Sequence, residues 1–187
     1  PHGNYMLRKK RFRLSVGLIL IIIFMDANTK IQALPTLLPV EYVDIDRFMG
    51  KWYVIAAIPT IIEKNIYNAV EIYKKSKDGT IATTFTFRKG GFDGEEKTYK
   101  PKGFIKDKNS NAIWGMQFIW PIQADYRIIY LDADYKTTII GRNKRDYLWL
   151  MSRQAHISEP TYNKLIDVVK NAGYDPNLVQ KIPQRWP

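Results

Sequence analysis

From Lys51 onward, short runs of apolar, β-branched and aromatic residues alternate with turn-forming clusters, one run about every ten to twelve residues. The runs predict strands over 51–58, 68–75, 80–87, 97–105, 112–119, 126–131, 136–140 and 146–152. Asp78-Gly79 suits a tight hairpin with positive φ, and Gly90-Gly91, Asp93-Gly94, residues 108–111 and residues 143–145 mark later reversals. Eight short antiparallel strands at even spacing predict an all-β sandwich or an eight-stranded antiparallel up-and-down β-barrel. One helix follows. Ser158 or Thr161 can cap it, Pro160 fits its first turn, and Gly173 can end it. Its apolar face, Tyr162, Leu165, Ile166, Val169 and Ala172, needs a partner. If Arg153 points inward, Leu148 and Leu150 on the last strand face outward and supply it, which places the C-terminal α-helix on the outside of the sheet.

Two residues decide between sandwich and barrel. Trp52, in Gly50-Lys51-Trp52-Tyr53, opens the first strand, and Arg153 ends the last. A guanidinium stacked on an indole can plug one end of a barrel and leave a cup. Between them lies Leu131-Asp132-Ala133-Asp134-Tyr135. In order and spacing, these blocks resemble the lipocalins. The likeness extends to Arg47-Phe48-Met49-Gly50-Lys51-Trp52-Tyr53-Val54-Ile55-Ala56, Thr84-Phe85-Thr86-Phe87-Arg88-Lys89-Gly90-Gly91-Phe92-Asp93-Gly94, Gly115-Met116-Gln117-Phe118-Ile119-Trp120-Pro121 and Ala124-Asp125-Tyr126-Arg127. These are similar to the bacterial lipocalin subgroup and to its relative apolipoprotein D. The resemblance spans residues 43–186 and implies a cup for small hydrophobic ligands, in the bacterial branch fatty acids, lysophospholipids or other membrane-derived lipids. It assigns Trp52, Arg153 and Gly50 to structural closure of the barrel.

Strand parity, fixed by inward Trp52 and Arg153, then picks a lining. It sends Val54, Ala56 and Ile58 inward on the first strand and Trp149 and Met151 inward on the last. Tyr73 and Glu71 share a face, as do Ile81, Thr83, Phe85 and Phe87, and Trp114, Met116, Phe118 and Trp120. The expected ligand-binding set is Ala56, Tyr73, Phe85, Phe87, Met116, Phe118, Trp120, Trp149 and Met151. The same residues could instead fill a solid core, since eight strands lie at the boundary between filled and hollow barrels. One bulge would flip part of the set. Lys64, Arg88, Lys89 and Arg127 are candidates for holding an anionic head at the mouth, or are an ordinary solvated rim.

Residues 1–33 read as upstream residues (Pro1 to Tyr5, before Met6) and a signal peptide, and residues 34–187 as the lipocalin domain. Residues 8–13 form a basic n-region, and the apolar run 14–25 holds 12 residues, short of the roughly 20 that a spanning helix needs. Cleavage is expected after Ala33, or else after Ala27; an uncleaved membrane anchor is the alternative. Six of the 29 Lys/Arg and one of the 18 Asp/Glu precede residue 34, leaving 23 and 17, a net charge of +6. That favours an anionic membrane surface or ligand head, and it is not the concentrated stripe of a nucleic-acid binder. Apolar content of 45% and aromatic content of 13% can furnish both a core and a cavity.

The sequence has no cysteine, which removes disulfides, thiolate metal sites, Cys nucleophiles and a Cys-borne lipid anchor. His156 has no partner at metal-ligand spacing, so neither a metal nor a cofactor is expected. Glu71 with Tyr73 is the one pair to nominate for acid–base work. The expectation is an exported, periplasmic, non-catalytic lipid carrier, a monomer or weak dimer. A lipid-modifying isomerase on the same barrel and a membrane-anchored envelope protein are the alternatives.

Overall fold

The computed structural model describes residues 34–187; the leader and its cleavage sites lie outside them. The strands are β1 (Gly50–Ile58), β2 (Ile66–Lys75), β3 (Ile81–Lys89), β4 (Glu95–Tyr99), β5 (Lys102–Ile105), β6 (Ile113–Ile119), β7 (Ile122–Leu131), β8 (Thr137–Gly141), β9 (Leu148–Ser152) and β10 (Gln180–Lys181). A short helix α1 (Ile45–Phe48) precedes β1, and helix α2 (Glu159–Asn171) follows β9. Neighbours pair antiparallel from β1 through β2, β3, β5, β6, β7, β8 and β9, and β9 pairs back with β1. The result is a closed eight-stranded up-and-down barrel with two additional strands, β4 and β10. No helix among the described residues is long and apolar enough to cross a membrane.

The run 97–105, expected as one strand, is two. β3 pairs β5 through Ile81 and Ala82, and β4 through Phe85 to Lys89. The break falls at Lys100-Pro101, because proline has no N–H to give the ladder. The Pro101 carbonyl still accepts from Thr83 N at 3.1 Å, which keeps the wall continuous.

One end of the barrel is floored. Asp44 caps α1 by accepting from the Asp46 and Arg47 N–H groups, and α1 lays Phe48 across the opening. The Arg153 guanidinium lies 3.8 Å from the Trp52 ring centre. It donates to the carbonyls of Lys51 (2.8 Å), Arg47 (2.9 Å) and Phe48 (3.0 Å), and more weakly to Tyr135 (3.3 Å). Trp52 Nε1 donates to the Phe48 carbonyl at 2.9 Å. Gly50, at φ +92°, turns the chain from α1 into β1 through a conformation that a side chain would strain. Asp132 ties the β7–β8 turn by accepting from Lys136 N, Thr137 N and Thr137 Oγ1. That turn holds Tyr135 at φ +59°, where its hydroxyl accepts from Asp44 N and its ring sits 4.0 Å from Arg47 Cζ. All three sequence blocks therefore converge on α1.

The apolar residues form two clusters. Phe48, Trp52, Val54, Ala57, Tyr73, Phe85, Trp114, Met116, Tyr126 and Met151 lie inside the barrel. Outside, Leu165 and Val169 of α2 bury Ile55, Ala56, Ile58, Leu148 and Leu150, the expected outer face of β9. β1 changes parity between the clusters. Its pairing with β9 shifts between Val54 and Ala56, so Ala57, not Ala56, lies opposite Trp149. This bulge turns Ala56 and Ile58 toward α2, whereas strand parity had sent both inward.

β1 and β2 pair only from Gly50 to Tyr53, and beyond that point the C-terminal segment enters the seam. β10 pairs with Ala56 and Ala57, and Gln184 Nε2 donates to the carbonyls of Val54 (2.8 Å) and Ala69 (3.1 Å) on either side.

Removing the Arg153 side chain strands several backbone carbonyls and uncovers Trp52. We expect Arg153→Ala to cost about 3 kcal/mol and lower Tm by roughly 6–12 °C while leaving the stoichiometry of ligand binding intact. Thermal denaturation followed by circular dichroism measures it, and an unchanged Tm would remove the closure argument.

Candidate functional site

Above the aromatic floor, and below the loop 59–65 that joins β1 to β2, lies a cavity of about 360 Å³. That is near the lower end of the roughly 300–1,000 Å³ range of ligand pockets. Its floor is Glu71 and Tyr126, and its walls are Thr83, Phe85, Met116, Phe118 and Trp149. Thr60, Ile61, Ile62 and Glu63 of the loop cover one side, and Asp125, Arg142 and Tyr147 complete the rim.

The floor rests on a plug of packed rings. Phe48 lies 5.1 Å from Trp52, 5.6 Å from Tyr73 and 5.6 Å edge-on to Trp114, and Trp114 stacks on Tyr126 at 5.2 Å. Inside this plug runs a polar chain: Tyr73 donates its hydroxyl to Glu71, and the Tyr73 and Tyr126 hydroxyls are bonded at 2.6 Å. Tyr73 supplies the one hydrogen bond that the Glu71 carboxylate accepts among the described residues. Burial pushes Glu71 up from an ordinary 4.5 to about 7; the Tyr73 hydroxyl opposes that rise and the Glu63 charge adds to it. Burial, reinforced by the Glu71 charge, also pushes both phenols well above their ordinary range, so they stay protonated donors.

The loop is latched from both sides. Glu63 is buried and accepts from Trp149 Nε1 at 2.6 Å and Thr60 N at 2.8 Å. Lys89 Nζ donates to the carbonyls of Ile62 (3.2 Å) and Lys64 (2.5 Å), and Gly90 N to that of Asn65. Two buried polar atoms among the described residues lack a partner, Thr60 Oγ1 and Arg142 Nε, and both residues line this cavity. The row Ile58–Leu148–Gly141 runs across β1, β9 and β8 at the open end, which sets Thr60 and Arg142 on either side of β9.

Of the expected lining, Phe85, Met116, Phe118 and Trp149 face the cavity. Tyr73, Phe87 and Met151 are buried in the interior cluster without lining it: Tyr73 in the ring plug beneath the floor, Phe87 between Phe85 and Tyr99, and Met151 against Val54. Ala56 lies under α2. Trp120 is 82% exposed at the tip of the β6–β7 hairpin, where the pairing shifts between Met116 and Ile119. Lys64, Arg88, Lys89 and Arg127 do not line the cavity. Lys89 latches the loop, Arg88 bonds the Gly94 carbonyl and Glu96, and Arg127 bonds Asp125 and the Leu37 carbonyl. The cation on the cavity wall is Arg142. Parity signals it, since it stands two residues beyond Ile140 of the interior cluster. Glu63, held on a loop, carries no such signal.

A family model described as a lipocalin-like domain matches residues 43–184. The chain is 34% identical over 156 residues to temperature-induced lipocalin-1 of Arabidopsis thaliana, covering 78% of this chain and 81% of that protein. It is 27% identical over 143 residues to the outer membrane lipoprotein Blc of Citrobacter freundii, covering 75% and 79%. Insecticyanin from the tobacco hornworm Manduca sexta superposes with a TM-score of 0.63 at 15% identity, over 79% of this chain and 84% of that one. At that identity the likeness is one of fold.

Glu71 gives the barrel a pH signature. Between about pH 4.5 and 7 the folded protein keeps a proton that the unfolded chain has lost, so stability is full below 4.5 and falls as pH rises through 7. The loss reaches about 3 kcal/mol. We expect Tm to drop between about pH 5 and pH 8, and Glu71→Gln to flatten that part of the profile. Parallel melts of the two proteins measure it.

Proposed function

We propose that this chain, which belongs to the lipocalin family, is a non-catalytic carrier that holds one membrane-derived amphiphile, a fatty acid or lysophospholipid, in its floored cavity. The observation that carries this reading is the pairing of an apolar cavity with Arg142 and Thr60 among its lining residues. Each holds one buried side-chain atom without a partner, Arg142 Nε and Thr60 Oγ1, while another nitrogen of the Arg142 guanidinium pairs with Asp146 at 3.5 Å. A buried donor without an acceptor costs about 1–3 kcal/mol, and turning it onto a carboxylate, ester or phosphate oxygen bound in the cavity removes that cost. The acyl chain then lies among Phe85, Met116, Phe118 and Trp149. Burial gains about 0.8 kcal/mol per methylene, and a bilayer offers the ligand nearly the same. The exchange is therefore close to balanced, which suits a shuttle.

The surface around the mouth supports delivery from a membrane. Ile119 (71% exposed), Trp120 (82%) and Ile122 project from the β6–β7 hairpin, and Ile61 (80%) from the loop beside it. Exposed apolar tips with a tryptophan suit the headgroup boundary of a bilayer, and the net positive charge of residues 34–187 favours an anionic one. Export, with residues 1–33 as a cleaved leader, and a periplasmic or envelope location belong to the same reading; the name of the Citrobacter relative places that protein at an outer membrane. A second reading, a lipid isomerase, draws on the buried Glu71–Tyr73 pair and requires that a bound lipid leave chemically changed.

Mass spectrometry of organic extracts from natively purified protein, with displacement of a fluorescent fatty acid, tests the carrier. One displaceable lipid per chain, returned unaltered, is expected, and Met116→Trp, which fills the cavity, abolishes it. A protein that is empty and ignores the probe sinks this reading. Separately, Trp120→Ala is expected to weaken flotation with phosphatidylglycerol vesicles about tenfold, the worth of one large apolar side chain.

A further inference from the structure

The rim anchor accounts for one end of such a ligand and leaves the floor unexplained. A filled barrel would present hydrocarbon there; this one presents Glu71, a carboxyl group set among Phe85, Met116 and Tyr126. Its lone hydrogen bond among the described residues, from Tyr73, leaves the carboxylate with unused acceptor capacity beside the cavity. Alkyl chain laid on it would bury a group that wants a donor. Stability alone gives no reason for Glu71, because its burial costs stability increasingly as pH rises above about 4.5.

We infer that the floor is a second polar subsite, and that the ligand is polar at both ends: an acceptor group at Arg142 and Thr60, and a hydroxyl or amine at its far end that donates to the Glu71 carboxylate. This rests on the carrier reading and narrows its ligand class. Tyr73 holds the carboxylate in place through its hydroxyl, and Tyr126 holds Tyr73 in turn. Glu63, the other buried carboxylate lining the cavity, is already satisfied by Trp149 and Thr60, so the floor is where a donor is wanted. At roughly 30 Å³ for each small heavy-atom group, 360 Å³ holds on the order of a dozen of them. A chain of about twelve carbons with a substituent at each end is the matching size.

Dodecanoic, 12-hydroxydodecanoic and 12-aminododecanoic acids, titrated against a bound fluorescent fatty acid, make the test. The hydroxy and amino acids are expected to bind about tenfold more tightly than the plain acid, and Glu71→Gln to narrow that gap to about twofold. Wild-type protein gives an independent readout should that variant fold poorly. The titratable and charged groups around Glu71 are Glu63 from the loop, Tyr73 on its own strand, Tyr126 from β7, and Asp125, Arg142 and Tyr147 at the rim. Its cross-strand neighbours Trp52 and Phe85 do not titrate. Glu71 gains a charge from about pH 6 to pH 8. Over that interval the amino acid is expected to tighten and the plain acid to weaken. Equal affinities for all three ligands, or parallel pH profiles for the plain and amino acids, overturn the inference and leave the carrier standing. Failure of all three to displace the probe overturns both. A preference for the hydroxy acid over the amino acid assigns the neutral donor, and the reverse assigns the cation.

Discussion

A guanidinium lying 3.8 Å from an indole centre, with its N–H groups spent on the carbonyls that end α1 and begin β1, makes one end of this barrel a floor. The contact combines two forces that are weak in water and stronger once partly desolvated: attraction of a cation to a π face, and charge-assisted hydrogen bonds. It joins the first strand of the barrel to the last, so closure of the cylinder and closure of its end are one event. Everything above depends on that. The ring plug of Phe48, Trp52, Tyr73, Trp114 and Tyr126 has a fixed base to pack on, and the plug sets how deep the cavity reaches.

The cavity is apolar on its walls and polar at its extremes, and the two polar regions are built differently. At the rim, Arg142 and Thr60 stand just beyond strand ends, each with one buried side-chain atom that has no partner. At the floor, Glu71 is positioned by strand pairing and by a phenol chain that crosses from β2 to β7. A carboxyl group in such a place lowers stability at neutral pH, and a fold that retains one spends stability on something other than folding. The loop with Glu63 is pinned by an indole N–H and a lysine rather than by core packing.

The parts of this architecture that rest on local rules were legible in the sequence. Alternation placed the strands, the Ser158 cap and Gly173 framed α2, and Leu148 and Leu150 showed which face it would cover. Parity also found Phe85, Met116, Phe118 and Trp149 for the cavity. It failed where the backbone departs from strict alternation. A bulge beside Ile55 exchanged Ala56 for Ala57, and another ahead of the hairpin tip carried Trp120 into solvent. Tyr73, Phe87 and Met151 point inward as alternation requires, but depth along the barrel depends on strand stagger, which a residue pattern does not encode. Glu63 reaches the cavity by way of a loop, and no periodicity describes a loop. The short helix α1 went unseen because four residues are too few to show a helical period.

The seam between β1 and β2 is filled by residues 180–184, with Gln184 bonded to Val54 130 positions earlier. Time therefore enters the structure. At roughly 5–20 residues per second, Val54 leaves the ribosome on the order of ten seconds before its partner is made. During that interval the Val54 and Ala69 carbonyls, on either side of the seam, have no Gln184 amide to bridge them. The order of synthesis thus makes the bridge across this seam a late event, formed only after the two strands that it joins.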